Sequence, residues 1–155
     1  MIQVGQKAPD FALFNTEKQE IKLSELTGKN VVLLFFPMAF TGTCTTELCT
    51  MRDTLHDFTS LNASVYAISV DSPFTLKKWK DLESFNFDLL SDFNKEASNA
   101  YSSIYETFAM GLKGVSKRSA FVIDKEGIVR YAEVLENAGE IPSFENIQNT
   151  LNSLS

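Results

Sequence analysis

Hydrophobic and polar positions follow two different patterns in the first half of the chain. The unbroken apolar run Val31 to Phe36 is short and is stopped by Pro37, which predicts a strand buried on both faces. Apolar residues then recur at steps of three and four from Leu48 to Phe58, which predicts one face of a helix. A second apolar run at 64–70 completes a strand–helix–strand unit with parallel strands.

The second half of the chain contains shorter elements. Ser72 and Pro73 are typical of a helix start, and the pattern predicts a helix that reaches about Phe85, followed by a strand at 87–90. Residues 94–108 carry apolar side chains at helical spacing. Two apolar stretches, 119–124 and 128–135, are joined by a glycine turn and predict a β-hairpin, and a last helix is predicted at 143–154.

The order of these elements predicts an α/β fold. Short apolar pieces at 11–23 add a small N-terminal β-hairpin extension, and no linker, repeat or low-complexity tract interrupts the chain. A parallel half followed by an antiparallel hairpin indicates a thioredoxin-like sandwich, in which helices flank a central mixed β-sheet. The length of 155 residues fits a single domain over 1–155.

Composition and charge exclude several classes of partner. The net charge is −6 and no basic stripe is present, so we expect no nucleic-acid partner. No apolar run approaches the ~20 residues of a membrane span, and the start MIQVGQKAPDF lacks the pattern of a signal peptide. We therefore expect a cytoplasmic protein without a membrane partner. In that compartment thiols stay reduced, so a close cysteine pair indicates catalysis or metal binding before a structural disulfide.

Both cysteines lie in one segment, FFPMAFTGTCTTELC, at positions 44 and 49. Cys44 falls at the predicted start of the first long helix, where unsatisfied backbone amides and the helix dipole favour a thiolate over a thiol. A thiolate is a nucleophile, but free cysteine is also a common small core residue. Position alone leaves both interpretations of Cys44 open.

Helix geometry separates the two cysteines. Residues five apart in a helix have Cα atoms roughly 8–9 Å apart and point about 140° away from each other. A disulfide rarely forms when the Cα atoms are more than ~7 Å apart. Either Cys49 is structural, or this helix must unwind locally for the two sulfurs to bond.

A metal-binding module of thioredoxin fold is the non-enzyme alternative. The only histidine, His56, lies seven residues after Cys49 and ~10 Å along the helix axis, too far for shared coordination. We therefore expect no metal site. A thioredoxin-like disulfide exchanger would carry C-x-x-C, which is missing here.

Three residues carry a resemblance to a known family. Pro37, Thr41 and Cys44 stand in the spacing P-x-x-x-T-x-x-C, which resembles the active-site signature of the peroxiredoxins. The opening VGQKAPDF at 4–11 and the segment KRSAFVID at 117–124 are also similar to the family. Within it, the chain resembles the bacterioferritin-comigratory and AhpE-type groups.

The resemblance implies a thiol peroxidase that reduces hydrogen peroxide and organic hydroperoxides. Cys44 would be the peroxidatic cysteine, oxidised to a sulfenic acid. Thr41 would hydrogen-bond the thiolate and the peroxide, and Arg118 would supply fixed positive charge. Pro37 would shield the site, and backbone amides near Thr43 would stabilise developing negative charge. The resemblance also implies that no metal or organic cofactor is needed.

The C-x-x-x-x-C spacing resembles that of the bacterioferritin-comigratory group and implies that Cys49 resolves the sulfenic acid as an intramolecular disulfide. A thioredoxin- or glutaredoxin-like donor would then reduce that disulfide. The alternative is a one-cysteine enzyme, as in AhpE-type chains, in which Cys49 is structural and an external thiol resolves. Glu47 would help to position Arg118, or would only favour the helix dipole. A homodimer is the expectation for AhpE-type chains, whereas the comigratory group includes monomers.

Overall fold

Seven strands form one mixed sheet in the computed structural model, which describes residues 1–154. Their spatial order is β2-β1-β5-β4-β3-β8-β9, and β6 and β7 form a separate pair. In chain order the strands are β1 Ala12–Asn15, β2 Glu20–Lys22, β3 Asn30–Phe35, β4 Ala63–Ser69, β5 Asp88–Ser91, β6 Ile104–Tyr105, β7 Val115–Ser116, β8 Ser119–Ile123 and β9 Val129–Val134.

Helices cover both faces of this sheet. They are α1 Gly42–Thr59, α2 Pro73–Glu83, α3 Glu96–Ala100 and α4 Phe144–Ser153. On β3, Val32 and Leu34 pack with α1, α2 and α4, whereas Val31, Leu33 and Phe35 pack with α3 and the N-terminal segment. This division explains why the strand is apolar from Val31 to Phe35, because neither face meets water.

The sheet confirms the predicted fold class. Strands β3, β4 and β5 are parallel, and α1 and α2 are the crossovers between them. Strands β8 and β9 form the predicted antiparallel hairpin, and β1 with β2 forms the predicted extension, which joins the sheet at β5. Among the described residues, no helix is long and apolar enough to cross a membrane. The single domain over 1–155 stays a prediction.

The predicted helical segment over 94–108 is mostly wrong. Only α3 is helical there, and the chain leaves it at Tyr101, whose ring packs against Phe35 and Phe121. Ser102 takes a left-handed backbone conformation, and the amide of Ser103 closes the turn on the carbonyl of Ser98. The apolar spacing therefore reflects core contacts of an irregular segment and the short strand β6, because periodicity alone does not distinguish these from a helix.

Candidate active site

Cys44 is the third residue of α1 and is completely buried. The first backbone bond of this helix runs from the amide of Thr45 to the carbonyl of Thr41. The amides of residues 42–44 therefore precede the helical ladder and point toward the space in front of the helix. Pro37 is also buried and ends the apolar run that contains β3.

Thr41 occupies the N-cap position of α1, but its hydroxyl does not cap the helix. It donates instead to the carbonyl of Met38, at 2.7 Å. The expected hydrogen bond between this hydroxyl and the thiolate or a peroxide stays a prediction, and the bond to Met38 uses the hydroxyl proton. With its proton held by Met38, the Thr41 oxygen presents its lone pairs as an acceptor.

Arg118 directly precedes β8 and brings three parts of the chain together. Its Nη2 donates to the sulfur of Cys44 at 3.1 Å, across a sequence separation of 74 residues. Its Nη1 donates to Oε1 of Glu47 at 2.8 Å, and its Nε donates to the carbonyl of Ala138 at 2.9 Å. The side chain is only 2% exposed, so the planar guanidinium is fixed between two buried groups of α1.

The backbone of Arg118 is fixed as well. Its amide donates to the hydroxyl of Tyr105 at 3.4 Å, and that hydroxyl donates to the carbonyl of Leu135 at 2.7 Å. The amide of Leu135 donates back to the carbonyl of Arg118 at 2.9 Å. Tyr105 of β6 and Leu135, directly after β9, thus fix the backbone position of Arg118.

Glu47 and Arg118 both have shifted pKa values. Burial raises the pKa of Glu47 to about 7, and Glu133 adds to this, although contact with Arg118 acts in the opposite direction. The second carboxylate oxygen of Glu47 is buried without a hydrogen-bond partner among the described residues, which fits a carboxyl group that resists ionisation. Burial alone would lower the pKa of Arg118, but Cys44 and Glu47 outweigh it and raise that pKa.

A cleft of about 430 Å³ lies over the start of α1. Its walls include Thr41, Gly42 and Thr43 from the helix start, together with Arg118, Tyr105 and residues 136–139. The cleft therefore brings helix amides, the Thr41 acceptor and the guanidinium to one small space. A small anionic or peroxide-like ligand fits that combination of donors and charge.

Cys49 lies away from this cleft, on the side of α1 that faces α2. It is half-buried, and its Sγ donates to Oε2 of Glu83 at 3.5 Å. Burial raises the pKa of the Cys49 thiol, and the hydrogen bond to Glu83 raises it further, whereas Arg52 has the opposite effect. The two cysteines are both free thiols.

The structure brings Cys44, Glu47 and Arg118 together, as the sequence analysis expected. Sequence reasoning missed Tyr105 and the carbonyl of Ala138, which orient the arginine. Tyr105 fell in the segment predicted to be helical, and a backbone carbonyl leaves no signal in residue type. Among the described residues no cluster of three metal-ligating side chains is present.

Comparison with known proteins shows the family of the chain. A sequence profile of the AhpC/TSA family matches residues 4–132. Alkyl hydroperoxide reductase E of Mycobacterium tuberculosis is 42% identical over 144 residues, which cover 91% of this chain and 90% of that protein. The chain belongs to the AhpC/TSA family of peroxiredoxins.

Two further proteins match most of this peroxiredoxin. The chloroplastic 2-cysteine peroxiredoxin of Chattonella marina var. antiqua is 38% identical over 144 residues. The aligned region covers 86% of this chain and 71% of that protein. The crystal structure of peroxidoxin BcpB from Mycobacterium tuberculosis superposes with a TM-score of 0.87 at 27% identity, covering 100% of this chain and 99% of that one.

Family membership confirms the predicted fold and enzyme class. This peroxiredoxin is a thiol peroxidase, an oxidoreductase whose family implies a peroxide substrate and a thiol reductant. Some relatives are named as chloroplastic, so the cytoplasmic location stays a prediction. The homodimer also stays a prediction.

Proposed function

We propose that this chain reduces hydrogen peroxide and organic hydroperoxides at Cys44 and forms an intramolecular disulfide with Cys49. The observation that carries the first half is the 3.1 Å bond from Arg118 to the Cys44 sulfur at the start of α1. A guanidinium bound to sulfur, in a buried position beside helix amides, stabilises a thiolate. The thiolate is the form that attacks a peroxide.

The first step follows from these contacts. The Cys44 sulfur attacks the terminal peroxide oxygen, an S–O bond forms and the O–O bond breaks. Arg118 and the amides of residues 42–44 stabilise the charge that develops on the oxygens. The Thr41 oxygen, whose own proton is bound to Met38, accepts a hydrogen bond from the peroxide O–H. The leaving alkoxide or hydroxide takes a proton, and Cys44 becomes a sulfenic acid.

The second step needs local unfolding of α1. Cys49 attacks the sulfenic acid, the S–S bond forms, and hydroxide leaves as water. Because five helical residues separate the Cα atoms by roughly 8–9 Å, the first turns of α1 must unwind. Leu48 lies between the cysteines and is fully buried, so exposing it costs about 1.5–3 kcal/mol. A thioredoxin-like dithiol then reduces the disulfide and restores the helix.

A one-cysteine mechanism is the second candidate. The bond from Cys49 to Glu83 favours it, because this bond holds the thiol protonated and away from Cys44. In that mechanism an external thiol attacks the sulfenic acid, and Cys49 stays in place.

Intact-mass measurement after one equivalent of peroxide tests the proposal. We expect the wild-type chain to lose the mass of two hydrogen atoms through the disulfide. Cys49→Ser is expected to gain one oxygen at Cys44 and stop there, and Cys44→Ser is expected not to react. A wild-type chain that keeps a stable sulfenic acid would establish the one-cysteine mechanism, and an unreactive wild-type chain would refute the peroxidase function of Cys44.

A further inference from the structure

A second cluster of cysteine, glutamate and arginine joins α1 to the C-terminal end of α2. Cys49 donates to Oε2 of Glu83 at 3.5 Å, and Nη1 of Arg52 donates to the carbonyl of Glu83 at 2.5 Å. The same Nη1 lies 3.9 Å from Oε2 of Glu83. We call Cys49, Arg52 and Glu83 the α1–α2 clamp.

The clamp fixes the direction and the charge state of the Cys49 thiol. The thiol donates its proton to a carboxylate, a bond that only the protonated sulfur makes. Three charged groups face it: Glu83 from α2, and Arg52 and Asp53 from its own helix. The two carboxylates oppose ionisation of the sulfur and Arg52 favours it, while burial also opposes it.

The clamp also anchors the part of α1 that would have to unwind for the disulfide to form. Asn86, three residues after α2, donates to the carbonyl of Arg52 at 3.2 Å, so the end of α2 and the segment after it are both bound to the same turn of α1. Cys49 cannot turn toward Cys44 without giving up its bond to Glu83. The clamp therefore opposes disulfide formation both by geometry and by charge.

We propose that Glu83 is a positioning residue that slows disulfide formation by holding the Cys49 thiol against α2. This inference rests on the proposed resolving role of Cys49. Peroxide then oxidises Cys44 before the resolving thiol is free, and the sulfenic acid persists long enough for an external thiol to compete.

Disulfide formation, the step that the clamp slows, needs only the two cysteines of this chain. The Cys49 S–H bond breaks, and its sulfur attacks the sulfur of the Cys44 sulfenic acid. The S–S bond forms, the S–O bond breaks, and the departing hydroxide takes up the proton as water. Cys49 is oxidised while Cys44 is reduced, so no further oxidant or reductant takes part.

The test replaces the clamp carboxylate with a neutral residue of the same shape. Glu83→Gln is compared with Asp81→Asn, which removes a carboxylate from the same helix where it pairs with Lys77 rather than with Cys49. In the Cys44→Ser background, the rate of Cys49 alkylation by iodoacetamide is followed against pH. With Cys44 present, stopped reactions after a peroxide pulse give the rates of Cys44 oxidation and of disulfide formation separately by intact mass.

We expect Glu83→Gln to move the alkylation profile to lower pH and to speed disulfide formation at pH 7 by about two- to fourfold. The gain is modest because a more acidic thiol is also a weaker nucleophile. Asp81→Asn is expected to change neither rate.

The experiment distinguishes a failure of the clamp inference from a failure of the proposed resolving role of Cys49. If the Glu83→Gln alkylation profile coincides with that of Asp81→Asn, or if its disulfide forms no faster, the clamp inference is wrong even in a chain that forms the disulfide. If the wild-type chain keeps a sulfenic acid, the resolving role of Cys49 is wrong. In that case a Glu83→Gln chain that does form the disulfide still supports the clamp.

Discussion

The two thiols of α1 each belong to a cluster of cysteine, glutamate and arginine, and the two clusters have opposite arrangements. At Cys44 the arginine is bound to the sulfur and the whole cluster is buried, with Arg118 2% and Glu47 0% exposed. At Cys49 the glutamate is bound to the sulfur, and the side chains of Arg52 and Glu83 are 28% and 34% exposed.

The comparison teaches that the partner of the sulfur, rather than the residue types nearby, decides the chemistry of each cysteine. A guanidinium on the sulfur favours an anion, whereas a carboxylate on the sulfur requires a bound proton. Burial then decides how strongly the neighbouring charges affect each sulfur. At the first cluster the charges interact through a medium of low dielectric constant, whereas at the second cluster water screens them. One helix can therefore carry a nucleophile and a restrained thiol five residues apart.

The largest effect is expected from removing the arginine of the buried cluster. Arg118→Ala should lower the second-order rate of Cys44 oxidation by hydrogen peroxide about 10²–10³-fold, the usual loss for one stabilising donor in a closed site. Arg118→Lys should recover part of the rate, because it keeps the charge but not the two-pronged geometry. Stopped-flow kinetics measure both. A loss of less than about tenfold in Arg118→Ala would show that the bond to sulfur does not control reactivity.

The pH dependence of stability should differ between the wild-type chain and Glu47→Gln. The pKa of Glu47 is raised in the folded chain to about 7 from 4.5, so folding favours its protonated form. Its contribution to stability is complete below about pH 4.5 and is lost as pH rises through 7. Glutamine does not titrate, so the wild-type chain should lose on the order of 3 kcal/mol relative to the variant over this range.

Urea unfolding of both chains from pH 4.5 to 8 measures this difference, and other carboxylates cancel in the comparison. Parallel stability curves would contradict the raised pKa of Glu47.

The smallest effect is expected in the exposed cluster. Arg52→Ala removes contacts that are screened by water, so the midpoint of thermal unfolding should fall by no more than about 2–4 °C. Lys77→Ala, which removes the exposed ion pairs of a lysine on α2 with Asp81 and Glu17, is the matched control. Calorimetry of both variants gives the comparison. A fall much larger than that of Lys77→Ala would mean that the α1–α2 clamp contributes much more to the fold than its exposure indicates.

The sequence predicted a strand or helix well where a local residue pattern was enough to determine it. The apolar run of β3 and the Ser72–Pro73 helix start are local signals, and both elements lie within a residue or two of their predicted positions. Segment 94–108 shows the limit, because Tyr101 belongs to a packed turn after α3 and Tyr105 belongs to the short strand β6, rather than both belonging to one helix.

In the site, too, features set by neighbouring residues could be predicted, whereas contacts between residues far apart in the sequence could not. The helix start at Cys44 could be read from neighbouring residues, but its bond to Arg118 spans 74 positions and was expected only through family resemblance. Glu83 gave no signal, since its contact with Cys49 depends on how α2 packs against α1. Thr41 lines the cleft beside Arg118, but the acceptor of its hydroxyl, the carbonyl of Met38, depends on the loop backbone and could not be predicted from residue type.

Leu48, buried between the two cysteines, connects the hydrophobic core to the redox potential. If the disulfide forms only when this side chain leaves the core, its reburial favours the dithiol by about 1.5–3 kcal/mol. For a two-electron couple that energy corresponds to a reduction potential about 30–60 mV more oxidising than that of the same disulfide without the burial. A weak cellular reductant would then suffice to return the enzyme to its reduced state.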